Sequence, residues 1–168
     1  MSDVRIRPLV EDDLPEVLVR NNAAVPAVGE LDAERLAELV PMAASALAAE
    51  LDGDLAGFVI ALPPGVAYTS PNYAWLSSRY DDFVYVDRVV VLPQAQGRGV
   101  GRALYDAVVA RSSASLLLAE VNTRPRNDVS LAFHDRYGFV PVGEAAPYGD
   151  GTEVVYLAKR IRAEGART

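Results

Sequence analysis

The spacing of apolar and polar positions changes along the chain and lays out its elements. Val4 to Pro8 alternates and predicts a short strand. The period then lengthens: Asp12 or Asp13 stands at the cap of a helix running toward Asn21, with Pro15 tolerated in its first turn. Asp32 caps a second helix, with Ala33, Leu36, Ala37 and Val40 along one face. Ser45 to Leu51 and Leu55 to Leu62 are strand-like runs around Asp52-Gly53-Asp54, a hairpin signal, and Pro63-Pro64-Gly65 stops the second run.

A loop carrying Tyr68, Tyr73, Trp75 and Tyr80 follows, and then a long apolar strand from Asp82 to Leu92. From about Gly99 to Ser112, Val100, Ala103, Leu104, Ala107 and Val108 recur at helical spacing. Leu116 to Asn122 is the next strand, and its link to the previous one is long enough for a right-handed parallel crossover. A further helix ends at Gly138, a natural residue just past a helix terminus. Phe139 to Gly143 and Glu153 to Lys159 make a final pair around Gly149-Asp150-Gly151. With no repeat and no second domain, residues 1–168 read as one domain with the order β-α-α-β-β-β-α-β-α-β-β.

The junction between the long strand and the helix after it carries the first chemical signal. Pro93-Gln94-Ala95-Gln96-Gly97-Arg98-Gly99-Val100-Gly101-Arg102 is a glycine-rich turn opening onto a helix. Free backbone N–H groups and the positive end of the helix dipole point at one spot there, which suits an anion. A nucleotide-triphosphate loop needs Gly-Lys-Ser/Thr, and here Arg102-Ala103 or Arg98-Gly99 follows the glycines. A dinucleotide fingerprint needs a small third residue, and its two frames meet Arg102 or Leu104.

Gln96-Gly97-Arg98-Gly99-Val100-Gly101 matches a third pattern, Gln/Arg-x-x-Gly-x-Gly/Ala, and resembles the acetyl-CoA pyrophosphate loop of the GNAT superfamily of acetyltransferases. A second match follows in the right order. Glu120-Val121-Asn122 ends an apolar run, and Asn127 to Phe139 is similar to the family's asparagine-opened helix with an aromatic pair and a closing Gly-Phe. The resemblance implies an α/β (α+β) GNAT fold: a mixed, mostly antiparallel sheet of about seven strands, about four helices, and a central parallel strand pair splayed around acetyl-CoA. It also implies that backbone groups of Val89 and Val91 pair with the pantetheine arm. The N–H groups of Gln96, Gly97, Arg98, Gly99, Val100, Gly101 and Arg102 would hold the pyrophosphate, with Arg98 or Arg102 adding a charged contact. Asn127 matches the family asparagine near the cofactor arm, or is a plain helix cap.

Composition narrows the partners. Half of the chain is hydrophobic, enough for a core, and the absence of cysteine excludes disulfides, thiol nucleophiles and cysteine metal sites. A single histidine leaves no histidine cluster, so no metal is expected. The net charge of −7 argues against nucleic acid and mildly favours a cationic acceptor such as an amine. The longest apolar stretch, Leu39 to Ala49, is short and contains Pro41 and Ser45, so no membrane span is expected. The first residues lack the basic-then-apolar order of a secretion signal, which reads as cytoplasmic.

The expected reaction is direct acetyl transfer from acetyl-CoA to a primary amine of a small molecule or peptide. An ammonium group with a pKa of about 10 must lose a proton first, and the departing thiolate is best protonated. A backbone N–H of the long strand suits the developing oxyanion. Glu120 and Asp87 are the candidate bases. Glu120 matches the family's acidic residue, and Asp87 interrupts an apolar strand on the same face as Tyr85, Val89 and Val91. The family usually places a tyrosine four residues before the glycine of Gly-Phe; here His134 stands there, with Tyr137 one helical turn on. His134 and Tyr137 are thus alternative proton donors. The aromatics Tyr68, Tyr73 and Trp75 serve either the acceptor site or a homodimer surface. The rival reading is a non-catalytic CoA-binding sensor or interaction module.

Overall fold

The computed structural model describes residues 3–163. Its strands are β1 (Arg5–Pro8), β2 (Ser45–Leu51), β3 (Asp54–Leu62), β4 (Phe83–Val91), β5 (Leu116–Arg124), β6 (Val140–Ala145) and β7 (Glu153–Arg160). Its helices are α1 (Leu14–Ala23), α2 (Ala33–Met42), α3 (Pro71–Ser77), α4 (Val100–Arg111) and α5 (Asp128–Tyr137). The strands form a seven-stranded sheet in the order β1-β2-β3-β4-β5-β7-β6. Among the described residues, no helix is long and apolar enough to cross a membrane. The contacts divide the chain into two compact units. One holds the described residues up to Leu62 with Arg88–Ser112, and the other holds Pro63–Asp87 with the described residues from Ser113.

In the first unit, β2 and β3 form the predicted hairpin. Asp52 (φ 55°) and Gly53 (φ 85°) both take the positive φ of a two-residue turn that matches strand twist. β1 joins β2 antiparallel, and α4 lies on β1, β2 and β3 through the buried Val100, Leu104, Ala107 and Val108. Gly57 on β3 permits this packing, because a Cβ there would stand 2.6 Å from the Val90 carbonyl oxygen and 3.1 Å from Val100 Cγ1. Asp32 caps α2 by accepting the Arg35 N–H at 2.7 Å, but the buried face of α2 is Leu36 and Leu39; Ala33 and Ala37 are exposed. Asp13 stands at the N-cap of α1 as expected but makes no side-chain cap hydrogen bond to it. Its carboxylate binds the Arg7 guanidinium at 2.8 Å and accepts the Val10 N–H, and the Arg7 hydrogen bond pulls its pKa below the usual value.

In the second unit, β5 pairs parallel with the first part of β4 through Phe83↔Leu116, Val84↔Leu117 and Tyr85↔Leu118. β7 pairs antiparallel with β5, and β6 with β7. The aromatic segment expected as a loop contains a helix, which brings the α-helices among the described residues to five, close to the about four expected. Ser70 caps α3 by accepting the Tyr73 N–H, and Pro71 occupies its first turn. Tyr73 is buried, with its hydroxyl donating to the Pro63 carbonyl at 2.7 Å. Trp75 stacks on Tyr156 at 4.1 Å between ring centroids and lies against Gly143, next to the register shift of β6. These two aromatics are therefore core and packing groups.

Candidate active site

The first unit holds the glycine loop. Gly97 (φ 76°) and Gly99 (φ 79°) take left-handed backbone angles, and a Cβ on either would meet nothing within 4 Å. Gly99 is the cap residue of α4, and no side chain caps that helix. Strand β4 runs into the loop through a short 3₁₀ turn, Pro93–Ala95, fastened by the Leu92 N–H to the Ala56 carbonyl at 2.8 Å. Gln96, Arg98 and Arg102 are exposed around it, Val100 is buried, and Val89, Val91 and Gly101 are half-buried. A helix start without a side-chain cap, reached through open glycines, has a donor set that suits a pyrophosphate.

The second unit holds a polar cluster built around Glu120 on β5. Its Oε2 accepts the Tyr85 hydroxyl at 2.6 Å, and its Oε1 accepts a side-chain N–H of Asn72 at 3.3 Å. Asn72 Nδ2 also donates to the Tyr148 hydroxyl oxygen at 2.7 Å, and Asn72 Oδ1 accepts the Tyr156 hydroxyl at 2.8 Å. Tyr85 is fully buried and Asn72 nearly so, while Tyr148 is half exposed. Burial, then the charges of Glu120 and Asp87, push the Tyr85 hydroxyl far above its usual pKa. Burial, then Glu120, pushes Tyr156 up to about 12. Both phenols therefore stay protonated at neutral pH and act as donors.

His134 and Tyr137 lie on α5, both buried. His134 Nδ1 is 2.7 Å from the Ser130 carbonyl oxygen, which only accepts, so Nδ1 carries the ring proton. Burial holds the imidazole below its usual pKa, so the ring is neutral and Nε2 is its lone-pair nitrogen. The Tyr137 ring stacks with Phe133 and carries the Lys159 ammonium 4.3 Å above its centroid. Asn127 is seen as the cap of α5, accepting the Ser130 N–H at 3.2 Å. Asp87 is half-buried on β4.

The sequence singled out Glu120 and the glycine loop and put Tyr85 and Asp87 on one strand face, and it gave no sign of Asn72, Tyr148 and Tyr156, which the structure joins to Glu120 in one hydrogen-bonded cluster. Asn72 meets its partners across 48, 76 and 84 residues of chain, so no local spacing announces it.

The family model described as the Acetyltransferase (GNAT) family matches residues 24–139. No curated protein matches the chain. Among solved structures, Ard1 from Thermoplasma volcanium superposes with a TM-score of 0.76 at 18% identity, covering 95% of this chain and 99% of that one. The ribosomal-protein-S18-alanine N-acetyltransferase from Escherichia coli gives 0.74 at 20% identity over 99% of both chains. The yncA protein from Salmonella typhimurium, solved with its cofactor acetyl-CoA, gives 0.69 at 19% identity over 99% of both. At these identities the likeness is one of fold.

Proposed function

The chain belongs to the GNAT acetyltransferase family, and on that premise we propose that it acetylates a primary amine of a small molecule or peptide, with Glu120 as the base. The observation that carries this reading is the Glu120 carboxylate, half-buried at the middle of β5, with the neutral donors Tyr85 and Asn72 on its two oxygens. An ionised carboxylate oriented by neutral donors suits a base that takes an ammonium proton, directly or through water. Asp87 serves a different end: its charge adds to that of Glu120 in keeping Tyr85 protonated and donating.

Bound acetyl-CoA supplies the thioester whose acetyl group the amine takes. The N–H groups from Gln96 to Arg102 suit its pyrophosphate, because the glycines there leave the approach open. We assign the pantetheine arm to the backbone of the later part of β4, where Val89 and Val91 are half-buried and lead into the glycine loop. We assign the proton donor to Tyr137 rather than His134, because the single proton of the neutral imidazole is engaged by the Ser130 carbonyl. Since the family match spans residues of both units, we read residues 1–168 as one acetyltransferase domain.

The test is thiol release from acetyl-CoA over a panel of amines, amino acids and short peptides. Turnover with one class is expected, and Glu120→Gln should lower kcat by about 10²-fold or more while acetyl-CoA still binds. Undiminished turnover in that variant removes Glu120 from the mechanism.

A further inference from the structure

We propose that Tyr156 is a positioning residue for the base: its hydroxyl holds the Asn72 amide by the oxygen and so keeps the amide nitrogen on the Glu120 carboxylate. This rests on the acetyl-transfer reading with Glu120 as the base, and deepens it by naming what orients that base from β7 and α3.

Sheet register brings the parts together. Glu120 on β5 and Tyr156 on β7 are direct partners in the antiparallel ladder, so their side chains stand on one face of the sheet. Asn72 reaches both from α3 and closes a triangle with them. An ionised carboxylate only accepts, so the Asn72 nitrogen must face Glu120 Oε1. The amide oxygen then faces Tyr156, whose hydroxyl must donate to it. Burial and the charge of Glu120 keep the proton on that hydroxyl, as the donor role requires.

Distances show which contact anchors the amide. The bond from Tyr156 is 2.8 Å long, while the amide stands 3.3 Å from Glu120, too far to be held by the carboxylate alone. The other N–H of the amide goes to the Tyr148 oxygen at 2.7 Å, but Tyr148 is half exposed, whereas Tyr156 is fully buried. The Tyr156 ring is itself fixed. It stacks on Trp75 at 4.1 Å between centroids and 16° between planes, and the Arg79 guanidinium stands 3.6 Å from the Trp75 centroid. Asn72 and Trp75 are three apart in α3, so one face of that helix grips Tyr156 by its hydroxyl and by its ring. Without the hydroxyl, the amide oxygen of a residue only 3% exposed would face a ring with no donor, and a buried acceptor left unmade is costly. The amide would turn to find a donor and carry its N–H away from Glu120.

The titratable and charged groups around this triangle are Tyr85 and Asp87 from β4, Tyr148 and Arg79. The first test needs no turnover. In protein carrying glutamate labelled with ¹³C at the side-chain carboxyl, the signal absent from Glu120→Gln belongs to Glu120. Its titration midpoint should rise by about half a pH unit or more in Tyr156→Phe, because a donor to the ionised form is lost while the ring and its stack remain. Asn72→Ala should raise it by at least as much, and adding Tyr156→Phe to that variant should move it by less than about a third of the single effect. Asn72→Ser serves the same purpose if the alanine variant does not fold. An unmoved midpoint in Tyr156→Phe, or an equal shift without Asn72, overturns the proposal.

Kinetics give the second reading. Tyr156→Phe should lower kcat about fivefold with KM for the amine within about twofold, and should cost nothing further in the Glu120→Gln background. A loss confined to KM, or one that persists without the carboxylate, overturns the positioning role. A parent protein that releases no thiol with any amine refutes the acetyl-transfer reading instead, and the carboxyl titration still decides whether Tyr156 acts on Glu120.

Discussion

Glu120 takes its orientation from a phenol that cannot share its charge. Tyr85 is buried, its hydroxyl is pushed far above the usual pKa, and that hydroxyl donates to Glu120 Oε2 at 2.6 Å. A donor to the ionised form favours ionisation, so Tyr85→Phe should move the acidic limb of the pH–kcat/KM profile to higher pH. A limb that stays in place or moves lower would show that the contact does not tune the base. His134 gives a prediction with a different readout. Burial is the main cause of its lowered pKa, so the folded state binds fewer protons than the unfolded chain. Its contribution to stability is complete above the unfolded value of about 6.5 and declines as the pH falls below it. His134→Phe should therefore flatten the dependence of Tm on pH between about 7 and 5, as read by thermal melts. An equally steep dependence in the variant would mean that other groups cause it. Glu120 and His134 were legible from sequence because each sits at a fixed distance from a motif. The state of His134 was not, since it depends on burial and on the Ser130 carbonyl.

Strands, hairpin and capped helices were legible at the scale of the element because each carries its period over enough residues. The hairpin at Asp52-Gly53, the cap at Asp32 and the helix stop at Gly138 all stand where turn chemistry predicts them. The exception is α3. Seven residues are too few to display a helical period, and its aromatics made the segment look like a binding loop. Its identity rests on Ser70 and Pro71 and on packing that the sequence does not show. Gly143 exposes that packing. A Cβ there would overlap the Trp75 ring, which is itself stacked on Tyr156 and covered by the Arg79 guanidinium 3.6 Å from its centroid. With both ring faces occupied, Gly143→Ala should cost about 1–3 kcal/mol of stability through overpacking. A thermal melt should show a Tm lower by several degrees, and an unchanged Tm would mean that the ring has room to move.

Across the whole molecule, the proposed binding and proton-transfer groups fall in different compact units. The glycine loop belongs to the unit containing Arg88–Ser112, and Glu120, Asn72 and Tyr85 belong to the other. Their effects should separate. A ligand at 100 times its Kd stabilises the folded state by about 2.7 kcal/mol, which raises Tm by roughly 5–10 °C in a domain of this size. Glu120→Gln should keep that acetyl-CoA shift and lose turnover. Gly99→Val should do the reverse of the first part. Gly99 has φ 79°, and open space surrounds its missing Cβ, so a β-branched residue meets a conformational rather than a steric cost. That cost is about 1–2 kcal/mol, a modest loss in the free protein. The backbone that caps α4 would nonetheless turn away, and the N–H groups proposed for the pyrophosphate would turn with it. The expected outcome for Gly99→Val is a folded protein whose Tm no longer responds to acetyl-CoA. A variant that keeps the full shift would detach the loop from the cofactor, and a Glu120→Gln variant that loses it would place the carboxylate in binding rather than in proton transfer.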